Sequence, residues 1–243
     1  MNKLAITLAS CVFLTASSST FAADAKPNAA FAKAYVKLDI SYKSANGQTQ
    51  SFLCGGVFIT EDIVLTASHC IPDQWASSSS KAITFQYGTN FATTAQLRAG
   101  QSWAKFDPKV DLALVRMNKS ASNVGLVKAL DAACTNDPKH KYPLKAIVYK
   151  RMNDATHQAL AKNTYHTSTT TISGHDKSPL ANGQAYKTPV AGIPGDSGSP
   201  MFLENGTIIG IYNGNGGTNS YFATLCAYRS DISTHGQRLR NLK

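Results

Sequence analysis

Residues 192 to 200 read GIPGDSGSP and set Asp196 and Ser197 between Gly195 and Gly198. A serine hydroxyl is a weak nucleophile at neutral pH, so this loop can do chemistry only if a base reaches Ser197. The base in turn needs an acceptor that holds it in the right tautomer. Of the six histidines in the chain, His69 stands out. It ends the segment VLTASHC, directly after an apolar run, and the small residues Ala67 and Ser68 let the chain turn tightly before it. Cys70 follows it at once, and Cys54 lies 16 residues upstream of Cys70. A disulfide closing a loop of that size adds ~3 kcal/mol in the chain-entropy model and would pin the histidine. Asp111 is the candidate orienter, because it opens the apolar segment DLALV. A carboxylate at the edge of a core strand is costly without a donor, and a histidine N–H is the expected partner. Serine, histidine and aspartate together would carry out acyl transfer.

The elements that position these residues read as strands. YVKLDISY (35–42) alternates apolar and polar residues, as a half-buried strand does. Asn46-Gly47 and Asn205-Gly206 are hairpin signals between apolar runs. Further strands are expected at 51–60, 62–68, 82–88, 92–100, 111–117, 145–152, 164–173, within 199–214, and at 220–228. SSSS (77–80) reads as a loop, residues 119–143 as the connection between two halves, and 230–242 as a terminal helix that Gly236 weakens. Many short strands with regular turn signals indicate a sandwich or barrels.

The first 22 residues form an expected export signal, with Lys3 before the apolar run Leu4–Ala16 and small residues at Thr20 and Ala22. A lipoprotein signal ending at Cys11 is the weaker reading, because the apolar region would be cut short. Residues 23–34 are expected to be flexible. Export makes the remaining Cys54, Cys70, Cys134 and Cys226 an expected pair of disulfides, with three connectivities open. There is no CxxC pair and no histidine at zinc-ligand spacing, so neither metal nor cofactor is expected.

The 243 residues carry a net charge of +10, or +9 once Lys3 is removed. The basic runs 139–151 and Arg229, Arg238, Arg240 and Lys243 suit a solvated surface, or a cationic face for an anionic partner. No interleaving of aromatic and basic residues points to nucleic acid. No segment has the length of a membrane span, and a monomer is expected.

The chain resembles the chymotrypsin/trypsin-like serine proteases. CGGVFITEDIVLTASHC, DLALV and GDSGSP are similar to that family's histidine, aspartate and nucleophile blocks, in the family's order. The resemblance spans about residues 35–230. It implies an all-β fold of two packed six-stranded antiparallel barrels with a C-terminal helix. The barrels would cover 35–128 and 129–243, forming one peptidase unit. It implies a secreted endopeptidase, periplasmic or extracellular, acting on polypeptides with Ser197 as nucleophile, His69 as base and Asp111 as orienter. Backbone N–H groups of Gly195 and Ser197 would form the oxyanion hole. It also implies the disulfides Cys54–Cys70 and Cys134–Cys226.

Two departures matter. Ala191 stands where trypsin-like relatives carry the acid that attracts Lys or Arg, so tryptic specificity is not expected. Asn213, Asn215 and Ser220 are expected near the substrate pocket, which they would make neutral and polar. The GDSGSP ending is also similar to bacterial glutamyl endopeptidases, which carry a histidine where Tyr212 aligns. The second departure is that no Ile-Val-Gly-Gly-like start precedes residue 35, so Asp196 needs another partner or an unusual processed terminus. The alternative is a catalytically silent or zymogen-like cationic binding protein on the same scaffold.

Overall fold

The Asn46-Gly47 turn folds β1 (Tyr35–Lys43) back on β2 (Thr49–Phe58), with Gly47 at φ +79° and Gly47 N–H donating to Ser44 O at 2.8 Å. The computed structural model describes residues 33–88, 91–100, 102–107, 109–122, 124, 143–150, 166–177, 184–189 and 192–242. The expected signal, the boundary near residue 128, Cys134 and Ala191 lie outside them.

The first sheet continues with β3 (Ile63–Ala67), β4 (Lys81–Tyr87), β5 (Thr93–Gln96), β6 (Trp103–Lys105) and β7 (Leu112–Arg116). Its strand order is β5-β4-β1-β2-β3-β7-β6. A bridge between Leu97, just after β5, and Met117, just after β7, brings the first strand of this order against the far side, so the sheet curls on itself. The second sheet contains β8 (Leu144–Lys150), β9 (His166–Ile172), β10 (Gly174–Lys177), β11 (Gln184–Thr188), β12 (Pro200–Phe202), β13 (Ile208–Gly216) and β14 (Asn219–Thr224). Its order is β10-β11-β14-β13-β12-β8-β9, and every pairing in both sheets is antiparallel. The architecture is therefore two curled antiparallel sheets with a C-terminal helix. Among the described residues each sheet has seven strands, where the resemblance implied six. The short β6, β10 and β11 escaped the sequence reading because GHDK and QAYKT carry too few apolar residues to show a period.

Helix α1 (Asp73–Ser77) takes in Ser77, the first residue of the run 77–80 expected as a loop, and Ser78 caps it. Its anchor is the fully buried Trp75, whose indole donates to Ala82 O at 3.3 Å. The first core joins Leu38, Val57 and Leu65 of the first sheet to Phe202, Ile211 and Leu225 of the second half. Burial of such side chains supplies most of the favourable free energy. A smaller cluster around Val148, Met201, Tyr212 and Phe222 lies within the second sheet.

Helix α2 (Arg229–Asn241) buries Ile232, Gly236 and Leu239, spaced to share one face. Its last carbonyls would be orphaned, as at any helix end. Arg116 on β7 fills that role, with Nη1 donating to the carbonyls of Leu239 (2.5 Å), Leu242 (3.1 Å) and Arg240 (3.2 Å). Its Nε donates to Asp62 Oδ2 at 2.7 Å. One guanidinium thus ties the second half's helix to the first sheet. Arg116→Ala leaves a half-buried carboxylate and several carbonyls without their donor. It is expected to cost about 2 kcal/mol, lowering Tm by about 4–8 °C for a chain of this size. Thermal unfolding followed by circular dichroism measures this.

Candidate active site

His69 leaves β3 on a single 3-10 turn, Ser68–Cys70, closed by Ile71 N–H donating to Ser68 O at 2.9 Å. The disulfide Cys54–Cys70 ties this turn to β2 with a Cα–Cα distance of 6.3 Å. Cys226 is also disulfide-bonded, and its expected partner Cys134 lies outside the described residues.

Asp111 immediately precedes β7 and has φ +53°, in the left-handed region. A non-glycine residue there costs about 1–2 kcal/mol, which aspartate bears better than most residues. The conformation lets one residue meet its neighbour with both ends. Asp111 O accepts from Ser68 N–H at 3.1 Å, while Oδ1 accepts from His69 N–H at 2.9 Å. The His69 ring nitrogen Nδ1 lies 2.9 Å from Oδ2 and 3.1 Å from Oδ1. The Asp111 side chain is 8% exposed and that of His69 is 43% exposed. The carboxylate therefore sits inside, the imidazole opens outward, and Nδ1 carries the proton toward the acid.

The loop 192–199 is seated against the end of β3, just before His69. Ser197 O accepts from Gly55 N–H at 2.6 Å, and Gly198 N–H donates to Tyr212 O at 2.9 Å. Thr66 Oγ1 donates to Gly55 O at 2.7 Å. Gly198 has φ +81°, and a Cβ there would collide with Gly55 O and Thr66 Oγ1, so only glycine lets the loop approach this closely. Gly195 has φ +102°. Among the described residues, the N–H groups of Gly195 and Ser197 donate to no acceptor, and no hydrogen bond joins Ser197 Oγ to His69 Nε2. Asp196 is 2% exposed, and its Oδ2 accepts from Ile193 N–H at 2.9 Å. The loop thus supplies a donor to this carboxylate from within itself.

The residues expected at the pocket divide into two groups. Asn213 is buried, and its Nδ2 donates to Asp111 Oδ2 at 3.0 Å. Its Oδ1 accepts from Ala223 N–H, which fixes which way the amide faces. The structure therefore turns Asn213 onto the aspartate. The cause is a bulge: Tyr212 pairs with Phe222 and Gly214 with Tyr221, so Asn213 is the extra residue and its side chain is re-aimed. Asn215 and Ser220 face one another across β13 and β14, and Ser220 Oγ donates to Asn215 Oδ1 at 2.7 Å. Sequence reasoning missed that Tyr212 joins them, its hydroxyl donating to Asn215 Oδ1 at 2.6 Å. Burial pushes the Tyr212 phenol well above its ordinary range, and the Asp196 carboxylate adds to that, so the hydroxyl stays protonated and remains a donor. Among the described residues, no cluster of three or more His, Cys, Asp or Glu side chains is arranged to hold a metal, and no helix is long and apolar enough to cross a membrane.

The family described as Trypsin matches residues 33–231. No curated protein sequence matches the chain. Among solved structures, the active form of the Rv3671c protease from M. tuberculosis is similar at 18% identity and a TM-score of 0.61, covering 84% of this chain and 82% of that one. HL collagenase is similar at 14% identity and a TM-score of 0.62, covering 88% and 96%. The inactive form of the Rv3671c protease gives 18% identity and a TM-score of 0.58, covering 86% and 91%. At these identities the likeness is one of fold.

Proposed function

The chain belongs to the trypsin family of serine proteases, and from that premise we propose that it is an exported endopeptidase that cleaves peptide bonds through an acyl-enzyme on Ser197. The observation that carries this reading is the Asp111 carboxylate, which takes both the ring Nδ1 and the backbone N–H of His69. An imidazole so held keeps its Nδ1 proton and presents Nε2 as a base. Ser197 Oγ attacks the scissile carbonyl carbon as its proton passes to Nε2. The carbonyl oxygen becomes an oxyanion held by the N–H groups of Gly195 and Ser197. The tetrahedral adduct collapses, the C–N bond breaks, and the imidazolium returns its proton to the leaving amine. Water then repeats the sequence, with His69 taking its proton and Ser197 leaving. The Ser197–His69 hydrogen bond belongs to the substrate complex, since such contacts are commonly loose in the free enzyme.

Asn213 acts here as a positioning residue. Its amide is a third donor to the Asp111 carboxylate beside the two groups of His69. In the sequence, Ala191 stands where a tryptic enzyme has an acid, which supports cleavage of bonds other than those after Lys or Arg.

The experiment is labelling of the purified protein with a fluorophosphonate. Stoichiometric labelling at one serine, mapped to Ser197 by peptide mass, is expected. Failure to label the folded protein would favour the silent scaffold.

A further inference from the structure

The bulge at Asn213 has an effect one turn of the pleat further on. In a regular strand, Tyr212 and Asn215 would point to opposite faces. With one extra residue between them they share a face, together with Ser220, the cross-strand partner of Asn215. The Tyr212 and Ser220 hydroxyls and the Gly192 backbone converge on the Asn215 carboxamide. Asn215 Oδ1 accepts from Tyr212 Oη at 2.6 Å, from Ser220 Oγ at 2.7 Å and from Gly192 N–H at 3.3 Å. Asn215 Nδ2 donates to Gly192 O at 2.7 Å. Both main-chain groups of Gly192 are therefore engaged by one side chain from the facing strand. The Tyr212 phenol lies directly against Gly192, where even a Cβ would collide with its ring and hydroxyl. Asn215 itself is an exposed rim residue, yet its amide turns inward.

This matters because of where a bound peptide must go. With its carbonyl on Ser197 and the oxyanion at Gly195, the family's binding mode sends the acyl-side residue's side chain between the loop before Ser197 and the strand Asn213–Gly216. The Asn215 bridge spans that gap. We propose that Asn215, braced by Tyr212 and Ser220 and bonded to Gly192, closes the pocket to all but the smallest side chains, so that the enzyme cleaves after glycine and alanine. The inference rests on the serine-protease reading. A larger side chain would have to break both bonds to Gly192 and displace a phenol that is already packed. A charged one would also find neutral groups only on these four residues.

The test uses peptidyl p-nitroanilides that differ only in the acyl-side residue, which is Gly, Ala, Phe, Lys or Glu. Fluorophosphonate labelling, which needs no such side chain, is measured beside it. The wild type is expected to label and to favour Ala over Phe, Lys and Glu by about 30-fold or more in kcat/KM. Asn215→Gly, with Asn215→Ala as a second variant, is expected to raise the Phe-to-Ala ratio about 10-fold or more. A wild type that labels but accepts Phe or Lys as well as Ala overturns the closed pocket and leaves the nucleophile standing. So does an unchanged ratio in both variants, or labelling without cleavage of any of the series. Absence of labelling overturns the protease reading and this inference with it.

Discussion

Ser197→Ala is expected to lower kcat by at least ~10⁴-fold, toward the ~10⁶-fold limit seen when a nucleophile acting with its base is removed. The physical reason is that nothing else in the loop can form the acyl bond. Asp196 is buried and already accepts from Ile193 N–H, and Ser199 Oγ is buried and lies 3.4 Å from Tyr35 Oη. The fold should not notice the change. Ser197 is anchored through its carbonyl to Gly55 N–H, a contact that alanine keeps, while its hydroxyl makes no hydrogen bond among the described residues. The stability change should stay within about 0.5 kcal/mol. Single-turnover kinetics together with thermal melting test this. Turnover within tenfold of the wild type would assign the nucleophile elsewhere.

Asp111→Asn is the second large effect, with an expected loss of ~10⁴-fold in kcat. Asparagine tolerates φ +53° almost as well as aspartate, so the backbone is kept. The donor pattern is not kept. The carboxylate faces three donors, namely His69 N–H, the His69 ring and Asn213 Nδ2. An amide offers one acceptor oxygen and an NH₂ that must point at a donor. In the Oδ2 place that NH₂ meets both the imidazole and Asn213 Nδ2, so Nδ1 must become the acceptor, and the proton moves to Nε2, where it blocks attack by Ser197. In the Oδ1 place it meets the His69 backbone N–H and again the ring nitrogen, so a main-chain donor loses its acceptor as well, at a cost of about 1–3 kcal/mol. The outcomes are read by kcat with a good substrate and by the melting temperature. Near-normal kcat in a folded variant would mean that His69 needs no acid to orient it.

The site residues were legible in different degrees, and the differences have physical causes. His69, Asp111 and Ser197 stood out because each is a reactive group set in a short local frame of small, apolar or cysteine neighbours. Cys54 and Cys70 were legible for the same reason, and the structure joins them. Asn213 was visible as a polar residue near the pocket, but its aim was not. A bulge is a property of two strands and their register, and shifting by one residue sends a side chain to the other face. The Arg116 clamp was invisible because the helix carbonyls it binds lie more than 120 residues away along the chain, and its carboxylate partner Asp62 lies 54 residues away. Helix α1 was hidden by its length, since five residues cannot display a helical period.

What the amino-acid sequence determined alone was therefore chemical type and local order: an all-β chain of the trypsin family, its disulfide beside the histidine, and the candidate serine, histidine and aspartate. The residue types and the strand pattern follow from side-chain identity and short-range spacing, while the family and the disulfide are what the resemblance of three short motifs implies. What only the tertiary structure decided was direction. It set the left-handed turn that lets Asp111 meet His69 twice, the glycine contacts that seat the Ser197 loop on β3, and the bulge that sends Asn213 to the acid and Asn215 to the backbone of Gly192. Direction depends on strand register and on close approach between segments far apart in the chain, and neither is written in any short stretch of residues.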